Sequence, residues 1–169
     1  MLIINSTHED IDTIFGLYDD AVAFQKTVFY KQWQGFDRLL VEKEVSENRQ
    51  WKIVVDGSVA CIFAITFNDP LIWKEKDQDP AIYIHRIVTN PKFRGGAYVK
   101  EIVKWAKQYA RSIDKKFVRM DTWSDNEKLR EYYTSCGFQY LGITVMENTG
   151  GLPKHYEGLS LSLFEIDIT

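Results

Sequence analysis

Apolar and polar residues recur along this chain at two periods, and the switches between them mark out its elements. Leu2 to Asn5 predicts a first strand. Ser6 and Glu9 stand at capping-box spacing, and Ile11, Ile14, Phe15, Tyr18, Val22 and Phe24 come after them at helical spacing. Lys31 to Phe36 predicts a loop carrying Trp33, and Asp37 to about Asn48 a second helix. Trp51 to Val55 and Val59 to Phe67 form a hairpin pattern around the turn pair Asp56-Gly57. Asn68-Asp69-Pro70 breaks that pattern. The stretch from Leu71 to Pro80, with Trp73 and five charged residues, reads as a polar surface loop.

The second half is more regular. Ala81 to Thr89 is an apolar strand, Tyr98 to about Arg111 a helix, and Phe117 to Trp123 another strand. Ser124 and Glu127 form a second capping-box pair ahead of Leu129, Tyr132, Tyr133 and Cys136, and Gly137 sits where a helix closes in a left-handed cap. Gln139 to Met146 and Ser160 to Ile168 predict two final strands joined by the loop from Glu147 to Gly158. The order is β, two helices, β, β, β, α, β, α, β, β. With no repeat, linker or low-complexity tract, residues 1–169 are expected to form one domain.

Composition narrows the function classes. At 169 residues, 45% hydrophobic and 27% charged, the chain has the make-up of an ordinary globular domain with a sizeable core. A net charge of −3 speaks against nucleic acid or an anionic membrane as partner. The two cysteines, Cys61 and Cys136, make neither a disulfide framework nor a zinc site, and no metal is expected. No apolar run reaches membrane length, and residues 1–5 lack a basic leader, so the expected location is cytoplasmic.

The richest chemistry lies in Asn90-Pro91-Lys92-Phe93-Arg94-Gly95-Gly96-Ala97-Tyr98-Val99. A strand precedes it and a helix succeeds it. A small-residue turn there exposes backbone N–H groups at the positive end of the helix dipole, which suits a phosphate, and Arg94 can take a second one. The same residues also suit a plain tight turn. No Gly-Lys-Ser/Thr closes a nucleotide-triphosphate loop, and no third spaced glycine makes a dinucleotide fingerprint.

Together with the segment from Asn126 to Phe138, this turn resembles the GNAT superfamily of acyl-CoA-dependent N-acyltransferases. Arg94-Gly95-Gly96-Ala97-Tyr98-Val99 is similar to its phosphate-turn motif, and Asn126, Leu129, Tyr133, Gly137 and Phe138 to its second motif. The likeness runs from about Ile82 to Leu141. It implies an α/β (α+β) fold: a mixed, mostly antiparallel sheet of about seven strands flanked by about four helices, with a splayed parallel strand pair in the middle. Ala97 stands where the family usually has glycine, and Val99 where it has glycine or alanine.

The resemblance also implies a reaction: direct transfer of an acetyl group from acetyl-CoA to a primary amine of a small molecule or peptide. Ile87, Val88 and Thr89 would pair with the pantetheine arm, and the amides of Gly95, Gly96, Ala97, Tyr98 and Val99 would hold the pyrophosphate. Asn126 is either a further cofactor contact or a helix-start residue. Tyr133 is the expected proton donor to the departing thiolate, since a phenol, with a pKa of about 10, stays protonated at neutral pH; its alternative is a packing role. His85, which titrates near neutrality, is the candidate base or else a satisfied strand histidine. Asp121 is a base, a substrate anchor or the partner of Arg119. His8 is expected to be exposed, and His155 to lie in the late loop towards the acceptor. Trp33, Phe36 and Trp73 either line the acceptor mouth or cap the core. The departures at Ala97 and Val99 motivate a second reading, a non-catalytic acyl-CoA-binding or regulatory module. A sheet edge leaves a homodimer open.

Overall fold

The computed structural model describes residues 1–28, 33, 35–146 and 160–169. Its strands are β1 (Leu2–Asn5), β2 (Gln50–Val55), β3 (Ser58–Thr66), β4 (Ala81–Thr89), β5 (Phe117–Trp123), β6 (Gln139–Val145) and β7 (Ser160–Asp167). Its α-helices are α1 (Ile11–Val28), α2 (Arg38–Ser46), α3 (Pro70–Trp73), α4 (Tyr98–Ser112) and α5 (Glu127–Ser135). The strands form one sheet in the order β1-β2-β3-β4-β5-β7-β6. β4 and β5 run parallel, with a register of only three pairs, Ala81↔Phe117 to Tyr83↔Arg119. The mixed, mostly antiparallel α/β fold expected from the sequence is the one observed.

The residues gather into two compact units, Met1–Ala64 with Arg86–Tyr98, and Ile65–His85 with Val99–Thr169. In the first, β1 pairs antiparallel with β2, and β2 with β3. The hairpin turn falls on Asp56 and Gly57, both at positive φ (50° and 79°), which matches the twist of the flanking strands. Ile11, Ile14, Leu17 and Tyr18 of α1 pack with Val41 and Val45 of α2 and with Ile62 and Val88. Trp33 and Phe36 lie against this core and so have the capping role. The capping box sits one residue later than expected: the Thr7 amide donates to Asp10 Oδ2 at 2.8 Å, and a short 3-10 turn, His8–Asp10, precedes α1. His8 is exposed, as expected.

In the second unit, β5 pairs antiparallel with β7, and β7 with β6. α4 buries Ile102, Val103, Ala106 and Ala110 on one face. α5 begins at Asn126, whose side chain accepts from the Leu129 amide at 3.2 Å, so the cap is Asn126 and not Ser124. It ends at Gly137 (φ 107°), with Gly137 N–H bonded to Thr134 and Phe138 N–H to Tyr133, a Schellman closure. Residues 71–80 lie at the surface as expected, with Lys74, Glu75 and Lys76 exposed, but they are helical rather than a plain loop. Pro70 starts α3, a fifth helix beyond the four expected, and a 3-10 segment, Lys74–Gln78, comes after it. Ile72 and Trp73 join Ala81, Tyr83, Met146, Leu161 and Leu163 in the core. Part of the stretch also serves the interior: Asp79 and the Lys76 carbonyl turn their oxygens towards the buried Arg119. The late loop and His155 lie outside the described residues.

Candidate active site

The turn after β4 is built in stages. Asn90 caps a 3-10 turn, Pro91–Phe93, by accepting from the Lys92 amide, and its Nδ2 donates to the Val59 carbonyl at 2.9 Å. Gly95 (φ 89°) and Ala97 (φ 53°) then adopt the left-handed conformation. For alanine this costs about 1–2 kcal/mol, which is the physical content of glycine's absence at 97. The Tyr98 ring folds over Gly96 so closely that a Cβ there would lie 2.4 Å from it; residue 96 must be glycine for this arrangement. α4 begins at Tyr98, and the first amides of any helix have no intrahelical partner. Residues 94–97 are exposed, and the Arg94 guanidinium stacks 4.1 Å from the Phe24 ring centroid. Such stacking leaves its in-plane donors available. Val88 is buried, and Ile87 and Thr89 are half-buried, with Thr89 Oγ1 3.8 Å from Cys61 Sγ.

A second cluster forms in the other unit. His85 Nε2 lies 3.2 Å from Thr66 Oγ1 and 3.5 Å from Asp69 Oδ2. One ligand-type atom each from Asp69, His85 and Asp121 falls within 4.8 Å of the others. Asp69 is only 6% exposed, and its Oδ2 has no hydrogen-bond donor among the described residues. Burial, then the charges of Asp121 and Asp77, push its carboxyl up to about 8. Burial likewise raises Asp121 to about 7. Two such acids do not both ionise readily; they favour a shared proton or a neighbouring positive charge. The arrangement can therefore attract an ammonium and accept its proton.

Two candidates named from the sequence thus come together, His85 and Asp121. Asp121 is not the partner of Arg119, whose charge is met by Asp79 and Glu165. Tyr133 is buried edge-on against Phe138 (6.3 Å) and Phe164 (5.6 Å). Asn126 serves as a helix cap with one amide face committed. Two features have little or no mark in the sequence expectations. Asp69 gives no signal beyond an Asp-Pro break. Lys100, Lys104, Lys107 and Arg111 line a recess of about 470 Å³ with Ser135 and Cys136, and their i, i+4, i+7, i+11 spacing is a signal that could have found them.

The chain matches the acetyltransferase (GNAT) family over residues 17–138. It belongs to that family. An uncharacterized N-acetyltransferase of Bacillus subtilis, YesJ, is 20% identical over 145 residues, covering 81% of each chain. Among solved structures, a GNAT-family acetyltransferase from Listeria monocytogenes superimposes with a TM-score of 0.79 at 23% identity, over 98% of this chain and 94% of that one. The putative acetyltransferase yncA from Salmonella typhimurium, solved with its cofactor acetyl-CoA, gives 0.71 at 14% identity, over 100% and 94%. These structures share the fold. Among the described residues, no helix of this GNAT protein is long and apolar enough to cross a membrane.

Proposed function

We propose that residues 1–169 act as a single cytoplasmic N-acetyltransferase domain, moving the acetyl group of acetyl-CoA to a primary amine of a small molecule or peptide. The observation that carries this reading is the turn at 94–98, where left-handed Gly95 and Ala97 present helix-start amides beside Arg94. The amides of Gly95, Gly96, Ala97, Tyr98 and Val99 would hold the pyrophosphate, with Arg94 on a phosphate oxygen. Ile87, Val88 and Thr89 would bond the pantetheine amides, and Asn126 offers its remaining amide donors. The cationic stripe of α4 adds attraction for an anionic ligand. The acetyl donor, a substrate, supplies an activated thioester.

The chain's own groups then manage two protons. The amine arrives as an ammonium, drawn by Asp69 and Asp121, and gives a proton to His85 directly or through water. The neutral amine attacks the carbonyl, the C–N bond forms, and the C–S bond breaks. Tyr133 donates its phenolic proton to the sulfur as it leaves, and the second proton, shed by the new amide nitrogen, passes through water to restore the phenol.

The test is a thermal-shift and thiol-release screen of amines with acetyl-CoA, on the native protein and on Tyr133→Phe. The expected result is turnover on at least one amine, lost roughly a hundredfold or more in the variant with acetyl-CoA affinity unchanged. Equal turnover in the variant removes Tyr133 from the mechanism. A non-catalytic acyl-CoA-binding module is the second reading, favoured by the left-handed Ala97 and the Tyr98 ring lying over Gly96. Binding without turnover on any amine would select it.

A further inference from the structure

Arg86 sits within β4 at φ 50°, in the left-handed region that non-glycine residues avoid. A strand residue keeps such a conformation only where its surroundings over-determine it. The side chain shows what does so here. Nε donates to the Tyr18 hydroxyl at 3.0 Å, and Nη2 donates to Glu44 Oε1 in a charge-assisted bond. The guanidinium lies 4.9 Å from the Phe36 ring centroid. Glu44 is 2% exposed and also accepts from Gln50 Nε2 at 3.2 Å, while Gln50 Nε2 reaches the Tyr18 hydroxyl at 3.1 Å. The two anchors come from α1 and α2, which pack in the first unit's core, and Gln50 of β2 braces both of them. Returning residue 86 to an extended φ would swing its side chain away and take from buried Glu44 its nearest cation, leaving, among the described residues, Arg49 Nη1 at 3.8 Å. The backbone strain and the ion pair therefore hold each other in place.

We infer that Arg86 is a positioning residue: its buried bonds to Glu44 and Tyr18 lock a left-handed kink into β4 and set the course of the backbone at Ile87, Val88 and Thr89. For its consequence the inference rests on the proposed function, which gives those three residues to the pantetheine arm. The kink would aim their N–H and C=O groups at the ligand rather than into a continued ladder.

Glycine and methionine at position 86 separate this role from mere stability. Arg86→Gly and Arg86→Met both delete the guanidinium, and both should lower the melting temperature. Only glycine adopts positive φ without strain. Acetyl-CoA affinity, measured by calorimetry on the full chain, should therefore stay within about twofold in Arg86→Gly and weaken roughly tenfold or more in Arg86→Met. Glu44→Gln, which keeps the arginine and a hydrogen-bond acceptor, should also stay within about twofold. The HN–Hα coupling of residue 86 by NMR reads the kink without any ligand: it should keep its native value in Glu44→Gln and change to that of an extended residue in Arg86→Met. Equal affinity loss in the glycine and methionine variants, or an unchanged coupling in Arg86→Met, overturns the inference. If the native protein binds no acetyl-CoA, the proposed function falls, and the coupling alone decides the kink.

Discussion

Two buried charge clusters in the second unit are made of similar residues and are wired in opposite ways. Arg119 is fully buried, yet its donors reach Glu165 Oε2 (2.8 Å), Asp79 Oδ2 (2.6 Å), the Lys76 carbonyl (2.8 Å) and the Tyr83 hydroxyl (3.1 Å). Its guanidinium carbon lies 4.7 and 5.0 Å from the ring centroids of Trp73 and Phe117. Burial alone would lower its pKa, but these partners outweigh burial and hold it above its usual value. At Asp69, His85 and Asp121 the balance fails: two acids, one histidine and an oxygen with no donor among the described residues. A satisfied cluster fixes structure, whereas an under-compensated one stores a demand for a proton or a cation. Chemistry belongs with the second.

The largest effect should come from emptying the satisfied cluster. Arg119→Met leaves Glu165 and the Tyr83 hydroxyl without their donor in a buried setting, and should cost about 3–5 kcal/mol in urea unfolding. Recovery of most of that loss by adding Glu165→Gln would confirm that the cost is the stranded charge. A loss near zero in Arg119→Met would mean the network stabilises nothing, and the contrast would collapse.

Emptying the other cluster should have the opposite sign. Asp69 is raised to about 8 in the fold from an unfolded value near 3.8. The folded chain therefore holds a proton that the unfolded chain releases between these values, and this contribution to stability is lost as pH rises through about 8. Asp121, raised to about 7, acts in the same direction. Asp10 does the reverse: Lys52 and Thr7 outweigh its partial burial and lower it, so its contribution is lost towards acid. At about pH 9, Asp69→Asn should be more stable than the native protein by about 1–3 kcal/mol, with a shallower fall between neutrality and that pH. Turnover should drop at the same time. A destabilised Asp69→Asn at alkaline pH would place Asp69 with the structural cluster after all.

How far the sequence can be read obeys the same divide. The turn at 94–98 and α5 are legible because local chemistry dictates them: Gly95 where φ turns positive, and a polar cap residue where a helix starts, although the cap is Asn126 and not the Ser124 of the capping-box pattern. So is the sheet, whose strands announce themselves by apolar runs. The acid cluster is not, because its members sit on β4, β5 and the segment before α3, and only tertiary folding brings them within 4.8 Å. The stretch at 71–80 misleads for a related reason. Lys74, Glu75 and Lys76 are solvated as the sequence suggests, but Asp79 and the Lys76 carbonyl serve a buried arginine some forty residues away, and Ile72 and Trp73 are core. The left-handed Arg86 has no sequence cue at all, since its cause is a side-chain anchor on other elements.

The smallest effect tests whether the demand at Asp69 can be tuned without touching the cluster itself. Asp77 contributes to the raised Asp69 pKa through its charge, after burial and Asp121, and its Oδ1 accepts the Asp69 amide at 2.6 Å. Asp77→Asn removes the charge and keeps the acceptor. The Asp69 carboxyl should then ionise at slightly lower pH, and the alkaline fall in stability should move towards neutrality by a few tenths of a pH unit. The acid limb, set by groups such as Asp10, should not move. Unfolding midpoints measured across pH in both proteins report both limbs in one series. A shift of the acid limb alone would show that Asp77 acts through the turn it holds and not through its charge. An alkaline shift of equal size in Asp79→Asn, whose partner is Arg119 rather than Asp69, would show that the two clusters are one electrostatic system and that the division between them is wrong.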